Sequence, residues 1–211
     1  MLSNSARFIS IEGVEGVGKT TNLKFIEQFF GDNGIPLYCT REPGGTPLGE
    51  EIRALLLHRN DAKIDQMTEL LLMFAARTQH IAEVIKPALD RGEWVLCDRF
   101  TDSSFAYQGG GRGIPMEIIA GLESLALEDF NPDYTIILDL PVELGLERAQ
   151  TRSEKDRFEE EDLAFFERVR SVFHARAKSN PDRYCIIDTT PSLEEVQGEL
   201  LRVLSEYVLD G

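Results

Sequence analysis

The 211-residue chain has little of what several specialised architectures require. Its three cysteines, Cys39, Cys97 and Cys185, stand far apart, each inside a short apolar run, and neither a C-x-x-C nor a histidine cluster accompanies them. Scattered, odd-numbered thiols exclude a disulfide framework or a zinc site and read as small buried hydrophobes in a reducing compartment. No apolar run approaches the length of a membrane span, and the opening "MLSNSARFISIEG" lacks the basic, apolar and small-residue zones of a signal peptide. A cytoplasmic location with no membrane partner is therefore expected. Positive charge is also scarce: 22 lysines and arginines face 37 acids, for a net charge of −15. Such a surface repels polynucleotides and anionic lipid, so the expected partner is small and is not a nucleic acid. Repeats, low-complexity blocks and Pro/Gly/Ser linkers are missing too, so 1–211 reads as one domain.

What is present begins with an alternation. Five short apolar runs, "FISIE" (8–12), "LYCT" (37–40), "WVLCD" (94–98), "YTIILDL" (134–140) and "YCIID" (184–188), are separated by stretches of helical period. These predict helices at about 18–31, 47–57, 66–90, 115–129, 142–151, 160–178 and 192–209. Strand-helix alternation implies βαβ units, and runs that are apolar at nearly every position imply a sheet covered on both faces. The fold class is thus a doubly wound α/β sandwich on a mostly parallel five-stranded sheet. Boundary signals agree: Thr46-Pro47 suits a cap and first turn, Ile114-Pro115 opens a helix, and Asp32-Asn33-Gly34 closes one. In such sheets ligands bind beyond the carboxyl ends of the strands.

After the first strand comes Gly13-Val14-Glu15-Gly16-Val17-Gly18-Lys19-Thr20, with Thr21 following, which fits G-x-x-x-x-G-K-[ST] at a strand-to-helix turn. Bare glycines let successive N–H groups wrap a phosphate. Lys19 then reaches the β- and γ-phosphates of ATP, the Thr20 hydroxyl ligates Mg²⁺, and the helix N-terminus adds positive potential. Glu15 is out of place beside polyphosphate unless it meets a donor such as a substrate hydroxyl; otherwise it is a solvated acid at the loop tip.

A P-loop alone does not separate switches, motors and kinases. The guanine-reading pair D-x-x-G and [NT]-K-x-D is not found, and the acidic balance disfavours a motor on a polymer. "TREPGGT" (40–46) and "DRFTDSSFAYQGGGRG" (98–113) each place an arginine at a strand's carboxyl end beside flexible glycines. Two such loops imply a second anion, as when a monophosphate accepts the γ-phosphoryl. Asp98 ends its strand where a metal-holding acid belongs, or else pairs with Arg99 or Arg41. Asp139 is its rival and reads as structural. Leu70, Met73, Phe74, Arg77 and Ile81 share one helical stripe, so Arg77 interrupts an apolar face. It meets either a nucleobase carbonyl or a core acid. "RAQTRSEKDRFEEED" (148–162) is either a solvated face or a mobile lid, at about 148–160, whose Arg152 closes over the migrating group.

Together "EGVEGVGKTT", "TREPGGTPLGEEIR", "LLLMFAARTQH", "CDRFTDSSFAYQGGGRG" and "DRFEEED", in this order and spacing, resemble the bacterial thymidylate kinases of the lid-arginine type, over nearly the whole chain. The resemblance implies a P-loop nucleoside monophosphate kinase fold, a homodimer, and phosphorylation of dTMP to dTDP by ATP with Mg²⁺, towards dTTP. It places Arg99, Arg41 and Glu42 around the dTMP phosphate, Glu15 on the deoxyribose 3′-hydroxyl and Tyr107 against a 2′-hydroxyl. Arg53 approaches the substrate, and Arg77, Ser104 and Gln108 address thymine. Arg148 and the "DTTP" turn (188–191) lie near adenine. Members often carry a ring-stacking phenylalanine four residues before the helix arginine; here Met73 holds that place and Phe74 follows, so either covers the base. The alternatives are another deoxynucleotide or deoxynucleoside kinase of this fold, a non-catalytic ATP-sensing protein, or an ATPase stimulated by nucleic acid.

Overall fold

The computed structural model describes residues 6–57, 64–128, 130–149, 157–158 and 161–209. Five parallel strands form one sheet in the order β2-β3-β1-β4-β5. They are β1 Phe8–Glu12, β2 Leu37–Arg41, β3 Trp94–Asp98, β4 Tyr134–Asp139 and β5 Tyr184–Asp188. β1 is buried along its whole length, whereas β2 and β5 are half exposed because they are the edges. The sequence expectation of full cover therefore holds for the inner strands only.

Helices α1 Lys19–Asp32, α2 Pro47–Leu57, α3 Gln66–His80, α4 Lys86–Asp90, α5 Thr101–Ser104, α6 Met116–Leu127, α7 Val142–Ala149 and α8 Leu163–Ser179 fill the crossovers, and α9 Leu193–Leu204 follows the last strand. One apolar cluster gathers Ile9, Ile26, Phe30, Trp94, Phe166 and Leu200, and a second gathers Phe8, Leu70, Phe74, Ile85, Phe100 and Ile119. Burying each such side chain contributes about 1.5–3 kcal/mol, so the two clusters dominate the favourable side of folding. The helix starts follow their signals. Thr46 Oγ1 accepts from Gly49 N at 2.9 Å, Asp65 caps α3, and Ser192 with Glu195 forms a reciprocal capping box on α9. α1 closes on Gly34 at φ +65°, the left-handed conformation glycine supplies.

Two regions differ from expectation. The predicted helix 66–90 is helical throughout but widens into a π-turn at Ile81–Ile85, which divides α3 from α4. More consequential, the stretch after β3 is not a flexible loop: α5 runs into a second π-helical segment, Phe105–Gly111. Its glycines are there for contact. A Cβ on Gly110 would lie 2.7 Å from Val172 and 2.9 Å from Arg168 O, and one on Gly111 would lie 2.3 Å from Phe165, so α8 lies directly on this backbone. Asp102, fully buried, ties the segment down by accepting from Arg176, from Tyr184 Oη at 2.8 Å and from Arg183 at 3.5 Å.

Candidate active site

The carboxyl ends of β1, β2 and β3 open into a cleft of about 200 Å³. One end is the P-loop. Gly16 and Gly18 adopt φ of +76° and +86°, the left-handed conformation that glycine supplies to a tight loop, and α1 begins at Lys19. Lys19 Nζ donates to Gly13 O at 3.0 Å and to Val14 O at 3.2 Å, folding across the loop it serves. Burial, with Arg99 nearby, pushes its ammonium down to about 8. Glu15, Gly16, Val17, Gly18, Lys19 and Thr20 line the cleft, while Gly13, Val14 and Thr21 do not: Gly13 and Val14 are buried and Thr21 is exposed on α1. The loop tip abuts α7 with no side chain between: a Cβ on Gly16 would lie 2.0 Å from Gly145 O, and one on Gly145 would lie 2.6 Å from Glu15 O.

Arg99 occupies the middle. Its backbone sits at φ +70°, a conformation costing a non-glycine residue about 1–3 kcal/mol and concentrated at functional positions. Arg99 N donates to Ile11 O and Cys97 Sγ to Arg99 O, holding the turn. The guanidinium donates to Gly13 O at 3.0 Å, Ser103 Oγ at 3.2 Å and Glu15 Oε1 at 3.0 Å, and lies 4.9 Å over the Tyr107 ring. Burial opposes its charge, but Tyr107 and the carboxylates of Glu15, Asp98 and Glu12 outweigh it and raise its pKa. Glu15 is thus not a solvated tip: Tyr107 Oη donates to both its oxygens at 2.8 Å. Asp98 forms no ion pair with Arg99 or Arg41 among the described residues, and its Oδ1 is buried without a partner. Asp139 is spoken for, accepting a bidentate pair from Arg170 at 2.8 Å and facing His174 at 2.9 Å.

The far end is built on α3. Arg77, 2% exposed, meets a core acid while still lining the cleft: it donates to Glu42 Oε2 at 2.6 Å, Ser104 Oγ at 3.0 Å and Phe100 O at 3.0 Å. Of the two residues offered for covering the base, Met73 lines the cleft. Phe74 is 3% exposed and turned into the core beneath Arg77, since one residue rotates a helix by about 100°. Arg41 also departs from its expected place. Adjacent strand residues point to opposite sides, so Glu42 faces in and Arg41 faces out, where it grips Glu50 at 2.8 Å. Arg53, Ser104 and Gln108 line the cleft, Arg53 donating to Pro43 O at 2.9 Å. Arg148 lies away from it, donating to Thr189 O at 3.2 Å beside the "DTTP" turn. Arg152 and most of the expected lid fall outside the described residues.

A sequence model of the family described as Thymidylate kinase matches residues 11–200, nine-tenths of the chain. The chain belongs to the thymidylate kinase family. It is 52% identical over 204 residues to a thymidylate kinase of Teredinibacter turnerae, covering 97% of this chain and 100% of that one. It is 54% identical over 201 residues to that of Pseudomonas syringae pv. tomato, covering 95% and 96%. The crystal structure of thymidylate kinase from Ehrlichia chaffeensis superposes with a TM-score of 0.75 at 36% identity, over 95% of this chain and 99% of that one.

Several buried residues that hydrogen-bond the lining of the thymidylate kinase cleft escaped the sequence reading. Glu12, fully buried, accepts from Phe100 N at 2.7 Å and Ser103 Oγ at 2.6 Å, and burial beside Asp102 pushes its carboxyl up to about 8. His80 is wedged between Thr40 Oγ1 at 2.6 Å and Glu42 Oε1 at 2.9 Å, beneath the glycines of the β2 loop. Glu69 is 1% exposed on the same face. A signal was available for the last two: Glu69, Arg77 and His80 are three ionisable groups on the apolar stripe of α3.

Proposed function

We propose that this cleft transfers the γ-phosphoryl group of ATP to dTMP, giving dTDP and ADP. The observation that carries the reading is a single cleft with an amide-and-ammonium grip at one end, Arg99 in the middle, and Arg77, Ser104 and Gln108 at the other. The P-loop amides and Lys19 hold the donor's β- and γ-phosphates. Arg99 holds the acceptor's phosphate in line, while Glu15, oriented by Tyr107, receives the 3′-hydroxyl and Tyr107 crowds the 2′ position. A phosphate oxygen of dTMP attacks the γ-phosphorus and the bond to the β–γ bridging oxygen breaks, releasing ADP. That oxygen is already anionic, so no general base is required, and positioning with charge stabilisation supplies most of the acceleration. Thr20 and Asp98 would hold Mg²⁺; the buried, unpartnered Asp98 Oδ1 suits a hydrated cation. Held there, Mg²⁺ would supply charge neutralisation for the phosphates.

We further propose a cytoplasmic homodimer. No helix among the described residues is long and apolar enough to cross a membrane. Met67 and Leu71 of α3 and Ile118 and Leu125 of the adjoining α6 leave an exposed apolar surface suited to pairing. A panel of acceptors with ADP release as the readout tests the activity: dTMP should be the best substrate, ahead of dUMP, dCMP and thymidine. ADP release indifferent to every acceptor would instead identify an ATP-sensing protein.

A further inference from the structure

Glu69 touches no part of the P-loop, yet it joins two walls of the cleft. Its Oε1 accepts from Gln108 Nε2 at 2.8 Å, and its Oε2 accepts from Arg157 Nη2. Arg112 Nε adds a longer contact to Oε1 at 3.5 Å, and Arg157 Nε donates to Leu56 O at 3.1 Å. Phe158, next to Arg157, is 6% exposed, lines the cleft and packs edge-on to Tyr107 at 5.8 Å. Gln108 lines the same end at 1% exposure.

The chemistry of the pair is directional. An ionised carboxylate only accepts, so it can pair with the NH₂ end of an amide and not with its oxygen. With one hydrogen of its NH₂ on Glu69 Oε1, the Gln108 amide is held in one orientation and its Oε1, an acceptor, is left for a ligand. An acceptor favours a pyrimidine whose N3 carries hydrogen, as in thymine and uracil, over cytosine, whose N3 is itself an acceptor. The geometry points to Glu69 as a positioning residue that fixes the orientation of the Gln108 amide, and through Arg157 the seat of Phe158, and thereby sets which base the cleft takes. This rests on the proposed reading that the Gln108 end receives the base.

The test is Glu69→Gln, which keeps shape but brings its own NH₂ and so permits the Gln108 amide to reverse. The preference for dTMP over dCMP, as a ratio of kcat/KM, should fall about tenfold through a rise in the KM for dTMP, with the KM for ATP unchanged. A properly folded variant that keeps the ratio overturns the proposal. If the variant does not fold, the unaltered protein serves: its Gln108 side-chain amide protons, observed by ¹⁵N NMR, should exchange slowly and shift downfield. Exchange as fast as that of exposed glutamines would also overturn the role. Failure of the functional reading is distinguishable, because unaltered protein would then phosphorylate neither monophosphate while the NMR signature persisted.

Discussion

Arg77 allows a structural cost to be separated from a functional one. Replacing it with methionine retains most of the apolar stem but strands Glu42, 4% exposed, with His80 as its one remaining partner among the described residues. Breaking a buried ion pair from one side costs about 3–5 kcal/mol, because the surviving charge stays desolvated. For a chain of this size each kcal/mol moves the melting temperature by about 2–4 °C, so Arg77→Met should melt about 6–20 °C below the unaltered protein. Adding Glu42→Gln removes the stranded charge while its amide oxygen can still accept from His80. The double variant should therefore recover at least about 2 kcal/mol. Substrate recognition should not recover with it: the KM for dTMP stays raised in both proteins, since neither carries the guanidinium that lines the cleft. Thermal melts with steady-state kinetics on the four proteins of the cycle read both quantities. Single and double variants melting within 2 °C of each other would refute the stranded-charge reasoning, and a dTMP KM restored in the double would refute the recognition role.

Gly16→Ala forces a left-handed residue, at about 1–2 kcal/mol, and a methyl into the α7 backbone, so both the melting temperature and ATP affinity should fall, as calorimetry would register. Glu12, held near 8 when folded against 4.5 when free, stabilises the protein at low pH and loses that contribution as pH rises through 8. Melts of Glu12→Gln against the unaltered protein should accordingly show the unaltered one losing ground between pH 5 and 8; a constant difference would remove the raised carboxyl. Lys19, near 8 in the ligand-free protein, should give an ATP dissociation constant that rises about fivefold from pH 8 to 9, measurable by titration calorimetry. Arg152→Ala should lower kcat with little change in either KM; an unchanged kcat removes the lid expectation.

The P-loop, the parallel sheet and the strand-end arginine Arg99 were legible in the sequence because each is a local pattern with a local cause. Bare glycines before Lys19, apolar runs between helical periods and a guanidinium after "LCD" need no knowledge of distant residues. Glu12 was not legible, and Glu69 and His80 were legible only as ionisable groups on an apolar stripe, because their partners lie 38 to 91 positions away and burial alone gives them meaning. The glycines at 109–111 were misread for a related reason. In isolation they signal a flexible turn, whereas here the approach of α8 demands their lack of side chains and keeps the segment helical. Arg41 and Phe74 show a third case, in which the right neighbourhood was named but one step along a strand or helix turned the side chain away.

The bare contact between Gly16 and Gly145 makes the phosphate loop and α7 a single mechanical piece. With no methyl-sized cushion at that seam, neither part can yield independently. Remodelling α7, whether by mutation or by an inhibitor that displaces it, should therefore alter how tightly the triphosphate is gripped.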